Sequence, residues 1–283
     1  MFKWLKTLIR GAEIPSVGAI FDQYELKKPD HQNAIDALPG WNSAFPPQFG
    51  LTAGNHHLYA DGRIEWALQT FGPIEDKAVL EVGPLEGMHT YRLNLGRPAR
   101  LDAIEANRLC FLRCLVTDQI LNIDRATFYL GDIQEWLKSN DSSYDLAIAS
   151  GVLYHMAEPA EFLKSLSLRA NAVFIWTHFF LDEAMPISDV RRLPFSGKME
   201  TRIVEGVPVR HYERSYQHAN TNASFCGGMA DRHFWLHRDD ILALLEKLGY
   251  DEIIIKEEEP NHSGGPCFSL FARKTGRVGS IAA

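Results

Sequence analysis

From residue 78 onward the chain alternates short, mostly apolar runs with segments whose apolar residues recur every three or four positions. The runs read as strands buried on both faces and the intervening segments as helices, which predicts a parallel sheet flanked by helices. Strands are expected at 78–82, 100–104, 126–130, 144–149 and 172–176. Helices are expected at 61–71, at 158–168, and at 108–120, with Leu109, Leu112, Leu115, Val116 and Ile120 as the buried face of the last. After Thr177 the rhythm breaks. Segments 200–204 and 207–214 flank Glu205-Gly206, a hairpin signal. A helix at 238–248, closed by Gly249, then precedes strands at 252–257 and 268–273. Consecutive strands joined by a turn pair antiparallel.

The first sixty residues lack this alternation. Their turn-rich, aromatic stretch Pro39-Gly40-Trp41-Asn42-Ser43-Ala44-Phe45-Pro46-Pro47 reads as an ordered extension that covers something, since a disordered linker carries fewer aromatics. The chain therefore divides into an N-terminal extension (1–60), an α/β core (61–177), a substrate-facing insertion with a hairpin (178–236), a core completion (237–275) and a flexible tail (276–283). Residues 1–10 are basic and amphipathic and lack the apolar centre and cleavage site of a signal peptide. They fit a terminal helix docked on its own protein, or one lying on a membrane surface.

Composition narrows the class. A formal charge of −7 over 283 residues supplies no global basic field for nucleic acid. No apolar run is long enough to span a bilayer. Cys110, Cys114, Cys226 and Cys267 form no CxxC pair, so the chain reads as reduced and cytoplasmic. Cys110 and Cys114, one helical turn apart, read as buried small hydrophobes. His233 and His237 have an i, i+4 spacing but no third ligand nearby in sequence, and no metal is assigned.

The chemistry-bearing stretch is Ala78-Val79-Leu80-Glu81-Val82-Gly83-Pro84-Leu85-Glu86-Gly87, a buried strand that passes through a glycine turn into a helix. A dinucleotide site would place G-x-G-x-x-G here. Leu85 holds the place of the middle glycine, and Glu81 and Glu86 would repel a pyrophosphate but suit a cationic ligand. Glu105 ends the next strand, where a carboxylate accepts from both hydroxyls of a ribose. Asp132, in Leu130-Gly131-Asp132-Ile133, can accept from an adenine amino group with Ile133 packed on the ring, and can also cap the following helix. Ser150-Gly151-Val152-Leu153-Tyr154-His155 runs off another strand at the carboxyl edge of the sheet, where open α/β sheets bind ligands.

With these motifs in place, the sequence resembles the class I S-adenosylmethionine-dependent methyltransferases. The resemblance covers about 63–176 well and 235–274 more loosely. It implies a Rossmann-like, mostly parallel seven-stranded sheet with an antiparallel last strand, and S-adenosyl-L-methionine as cofactor. It places Arg63, Glu81, Gly83, Pro84, Gly87, Glu105, Ala106, Asp132, Ile133, Ser150 and Tyr154 at the cofactor. His155, His178 and Tyr154 are the candidate catalytic side chains. Gly151-Val152-Leu153-Tyr154-His155 is most similar to the tRNA wobble-uridine carboxymethyltransferases, which use a carboxylated cofactor. Arg63 falls where that group has a lysine, and Cys267 where it has the arginine that should grip the carboxylate. The expectation is therefore methyl transfer to a small-molecule acceptor, a sugar or other metabolite hydroxyl. The alternatives are tRNA modification with the carboxylated cofactor and a non-catalytic cofactor-binding protein that uses its insertion to hold a partner.

Overall fold

A computed structural model describes residues 23–276; the expected helix at 1–10 and nearly all of the expected tail lie outside the described residues. The strands are β1 (Ala78–Val82), β2 (Arg100–Glu105), β3 (Ala126–Leu130), β4 (Tyr144–Ser150) and β5 (Ala170–His178) in the first part of the chain. They continue as β6 (Phe195–Val204), β7 (Val207–Arg214), β8 (His233–Leu236), β9 (Glu252–Glu259) and β10 (Cys267–Arg273). The helices are α1 (His31–Asp36), α2 (Gly62–Phe71), α3 (Met88–Asn94), α4 (Arg108–Leu121), α5 (Ile133–Ser139), α6 (Pro159–Ser167) and α7 (Arg238–Lys247).

Seven strands form one sheet in the order β3-β2-β1-β4-β5-β10-β9. β1 to β5 pair in parallel, and β10 inserts antiparallel to both β5 and β9. The two-residue period of β1 explains how both faces are covered. Leu80 and Val82 pack with α5, α6 and α7 through Leu137, Phe162 and Leu244. Val79 packs on the other face with Ile64 of α2 and Leu93 of α3. The chain order reverses between β1 and β4, so their carboxyl ends open a crevice there.

The insertion forms a second, antiparallel sheet in the order β6-β7-β8. Glu205 and Gly206 both take positive φ, 49° and 84°, the requirement of a type I′ hairpin turn. Phe180 N–H donates to the Leu236 carbonyl at 2.8 Å and bridges to His237, which ties the start of the insertion to its end. Among the described residues no helix is long and apolar enough to cross a membrane.

The buried face of α4 differs from expectation. Leu112 and Leu115 are 47% and 42% exposed, while Cys110, Arg113, Cys114, Thr117, Ile120 and Leu121 face inward. The cause is Arg113, whose side chain is fully buried. Its Nη1 reaches Glu86 Oε1 at 3.2 Å, and its Nη2 donates to the carbonyls of Pro39 and Ala223, the latter at 2.8 Å. Glu86 in turn accepts from the backbone N–H groups of Asn42 (2.8 Å) and Ser43 (2.6 Å). One ion pair thus joins the extension, the turn after β1, α4 and the insertion. Ile35 and Phe45 of the extension pack beside it against Met88, Ile120 and Leu121.

Removing one member of a buried pair strands the other charge, which typically costs about 3–5 kcal/mol. Arg113→Ala should therefore lower unfolding stability in urea by about that much. Leu112→Ala, on the exposed face, should stay within about 0.5 kcal/mol. Equal effects from the two substitutions would contradict the arrangement.

Candidate functional site

The crevice holds a cavity of about 540 Å³, within the roughly 300–1,000 Å³ of small-ligand pockets. Its floor is the turn after β1. Gly83, Leu85 and Gly87 all take positive φ, at 64°, 59° and 79°. Leu85 therefore keeps the left-handed conformation of the glycine it replaces, at a cost of roughly 1–2 kcal/mol. The turn is held from both sides. The Leu85 N–H donates to Glu105 Oε2 at 3.0 Å, and its carbonyl accepts from Cys114 Sγ at 3.6 Å.

Glu105, at the end of β2, lines the cavity while its other oxygen accepts from Asn107 N–H at 2.7 Å. Burial pushes its pKa up to about 7, against the opposing hydrogen bonds from the Asn107, Leu85 and Ala106 amides. Each oxygen still has lone-pair capacity for an incoming hydroxyl. Asp132 lines the wall beside the buried Ile133, and its Oδ1 caps α5 through Gln134 N–H at 2.8 Å.

Arg63 enters from the first turn of α2 and is the one Lys or Arg in the cavity wall. Its guanidinium is bidentate to Asp61, at 2.9 and 2.6 Å, and lies 4.5 Å over the Trp176 ring. Burial works to raise the Asp61 pKa, but hydrogen bonds from His89 and Arg63 outweigh it and hold the carboxyl well below its ordinary range.

The far wall is aromatic. The Tyr154 ring sits 4.0 Å from His155 and edge-on to Trp176 at 5.8 Å. His155 is kept neutral by burial, which pulls its pKa down to about 3. Its Nδ1 lies 2.7 Å from Tyr216 Oη, which itself accepts from Gly228 N–H at 2.7 Å. The hydroxyl proton is available to Nδ1, and in that tautomer the other ring nitrogen carries N–H. Phe225 to Ala230 of the insertion close this side of the cavity. Gly228 is required there, since a Cβ would come within 2.1 Å of the His155 carbonyl oxygen.

Of the residues singled out in the sequence, Arg63, Gly83, Pro84, Glu105, Ala106, Asp132, Ile133, Ser150, Tyr154 and His155 meet in this cavity. Glu81, Gly87 and His178 do not line it. Glu81 is buried under α3, where it accepts from Thr90 Oγ1 at 2.6 Å. Burial chiefly pushes its pKa up to about 8, the Thr90 bond opposes this, and the Glu105 charge adds to it. Glu86 is turned away toward Arg113. The negative charge expected from Glu81 and Glu86 is thus absent from the wall, where Glu105 and Asp132 are the carboxylates.

His178 lies behind Tyr154, stacked on Trp235 at 4.9 Å, with Nδ1 donating to the Gly265 carbonyl at 2.8 Å. Burial lowers its pKa to about 4. His233 and His237 occupy the ends of β8, one stacked on Tyr216 and the other capping α7, and share no site. Sequence reading missed Asn107, Cys110, Trp176 and the 225–230 segment. Asn107 was signalled, because an Asn two residues past the strand-end acid is an N-cap. The others were visible only through long-range packing.

The strand order with its antiparallel β10 settles the architecture. The chain has a class I methyltransferase fold. It is similar to the N-terminal domain of EvdMO1 crystallised in the presence of SAH and D-fucose, with a TM-score of 0.65 and 20% identity over 86% of this chain and 95% of that one. It also resembles the bifunctional kinase-methyltransferase WbdD, with a TM-score of 0.52 and 15% identity over 87% of this chain and 46% of that one. Among curated proteins, the tRNA U34 carboxymethyltransferase of Vibrio atlanticus is 27% identical over 179 residues, 58% of this chain and 53% of that protein. The counterpart in Vibrio vulnificus is 28% identical over the same length. The chain spans about half the length of the curated relatives it matches. No protein-family model matches it.

Tyr216→Phe removes the hydroxyl that serves both His155 and Gly228, leaving two polar partners unsatisfied at about 1–3 kcal/mol. Cleavage of the 217–230 segment by a protease under native conditions should accelerate roughly 5- to 100-fold. An unchanged cleavage rate would show that this bond does not hold the segment.

Proposed function

We propose that the protein is an S-adenosylmethionine-dependent methyltransferase acting on a small-molecule hydroxyl, such as that of a sugar. The observation that carries this reading is Glu105. Its carboxylate lines the cavity between the turn after β1 and Asp132, with both oxygens oriented by backbone amides and open to further donors. Glu105 would bind the ribose, Asp132 and Ile133 the adenine, and the turn around Gly83 and Leu85 the amino-acid end. The likeness to the EvdMO1 domain, whose crystals held SAH and D-fucose, supports a small acceptor.

Bound S-adenosylmethionine would supply a methyl group already activated on a sulfonium. What remains for the chain is positioning and exclusion of water, which can supply much of the acceleration. Neither histidine is a strong base, since burial lowers the pKa of both. His155 lines the cavity with its Nδ1 bonded to Tyr216, and His178 keeps its Nε2 lone pair behind Tyr154. An acceptor oxygen becomes acidic as it takes the methyl group, so its proton can leave to water without a strong base.

Identity with the tRNA U34 carboxymethyltransferases favours a second reading, tRNA modification with the carboxylated cofactor. Arg63, the single guanidinium in the wall, is already committed to Asp61, and Cys267, where the resemblance puts the second cation, does not line the cavity. Both facts weaken that reading.

Calorimetry decides the cofactor. S-adenosylmethionine and S-adenosylhomocysteine should bind, and Glu105→Gln should weaken both by roughly 10- to 150-fold, the loss of a charge-assisted hydrogen bond. No binding at high micromolar concentration would overturn the proposal. The ionised carboxylate is the better acceptor, so affinity should rise with pH through about 7. Binding should be roughly tenfold tighter at pH 8 than at pH 6, and this slope should flatten in Glu105→Gln. Tight tRNA binding with a steep salt dependence would favour the second reading instead.

A further inference from the structure

Behind the aromatic wall lies a group of side chains that the methyl-transfer reading does not use. His178 and Cys267 are direct cross-strand partners in β5 and β10, and His262 comes from the loop between β9 and β10. One donor atom from each lies within 4.8 Å of the others. We propose that His178, His262 and Cys267 form a site for a divalent transition metal of the zinc type.

Four observations argue for a built site. The His178 Nδ1–H is held by the Gly265 carbonyl at 2.8 Å and the Pro266 carbonyl at 3.2 Å, which fixes the tautomer and leaves the Nε2 lone pair for a metal. Metal-binding histidines characteristically carry this backbone carbonyl partner. Cys267 is buried and is the direct cross-strand partner of His178, which sets its thiol on the same side of the sheet as that ring. Gly264 keeps the space between the imidazoles clear, since a Cβ there would sit 3.3 Å from His178 Nε2 and 3.4 Å from His262 Nδ1. Finally, the loop is anchored, because Arg191 Nη1 donates to the Pro260 and His262 carbonyls at 2.9 and 3.1 Å.

The donor set selects the ion. Two imidazoles and a thiolate suit zinc, whereas magnesium and calcium want oxygen. Tetrahedral zinc places such donors roughly 3.3–3.6 Å apart, so the group must close by about an ångström. His262, half-buried on a loop, is the member able to move. Its Nδ1 would exchange the Gly264 N–H, now at 3.1 Å, for the metal, and the Cys267 thiol would release its proton. Three protein ligands leave a fourth position for water. The ion would fasten the β9–β10 loop to the sheet directly beneath Trp176 and Tyr154, whose rings lie 5.2 and 4.7 Å from that of His178.

The test uses the full chain, stripped with a chelator and titrated with zinc ion against a chelating dye. One tight equivalent should be taken up and should raise the unfolding temperature. His262→Ala and Cys267→Ser should each weaken uptake roughly 100-fold or more, beyond the 10- to 100-fold that loss of an outer-shell partner brings. Cys226→Ser should bind like the original. Cobalt ion should give a thiolate charge-transfer absorption that Cys267→Ser abolishes and Cys226→Ser retains. Cys267 sits in the sheet, so if its variant does not fold, the loop variant His262→Ala carries the test alone. No zinc uptake, or uptake unchanged in His262→Ala, would overturn the proposal.

Discussion

The structure turns on one buried pair, Glu86 with Arg113. Both side chains are fully inaccessible, so each charge depends on the other and on the backbone groups around it. Those groups come from Pro39, Asn42, Ser43 and Ala223, far apart in sequence. The pair therefore makes the extension, the β1 turn, α4 and the insertion interdependent. The same helix turn carries Cys110 into the cavity wall, and the residue before Glu86 donates its amide to Glu105. The site geometry and the cover over it thus rest on one electrostatic constraint.

That constraint also redistributes charge. Glu86 is neutralised inside the fold, and burial moves Glu81 toward its protonated form. Asp61 stays charged but is spoken for by Arg63 and His89. Glu105 and Asp132 remain as carboxylates with free capacity in the wall, and the pKa of Glu105 has been raised by the same burial. Under the proposed function, cofactor affinity is therefore coupled to pH through Glu105.

The sheet was legible because its parallel strands are mostly apolar, with Glu81 in β1 and Asp102 in β2 as buried exceptions. The antiparallel β10 was legible from two consecutive strands joined by a turn. The face of α4 was not, since hydrophobic periodicity assigns a guanidinium to solvent, and only the distant Glu86 and two carbonyls draw Arg113 inward. Leu85 was read as a departure from a glycine motif, yet it holds the glycine-like φ of 59°, because tertiary hydrogen bonds at both its amide and its carbonyl enforce it. His178 follows directly from a strand that leads to the site, and only the packing of Tyr154 and Trp235 shows that it is screened from the cavity. β8 was ambiguous in sequence because four residues carry too little period, and pairing with β7 decides it.

The two ends of the cavity differ in a way that bears on the proposed chemistry. Glu105 puts negative charge at the nucleoside end, while the ring groups of the far wall are neutral and the Arg63 guanidinium beside them is paired with Asp61. Tyr154 is held protonated by burial, and His155 and His178 are held uncharged by the same effect. Ring faces attract a cation modestly and without a fixed counter-ion. In methyl transfer from a sulfonium to a neutral oxygen, positive charge moves toward the acceptor. A carboxylate fixed beside the sulfur would oppose that movement, because attraction to it is lost as charge departs. A neutral aromatic wall imposes no such cost, which gives a physical reason for Glu81 to be sequestered under α3 rather than presented to the ligand.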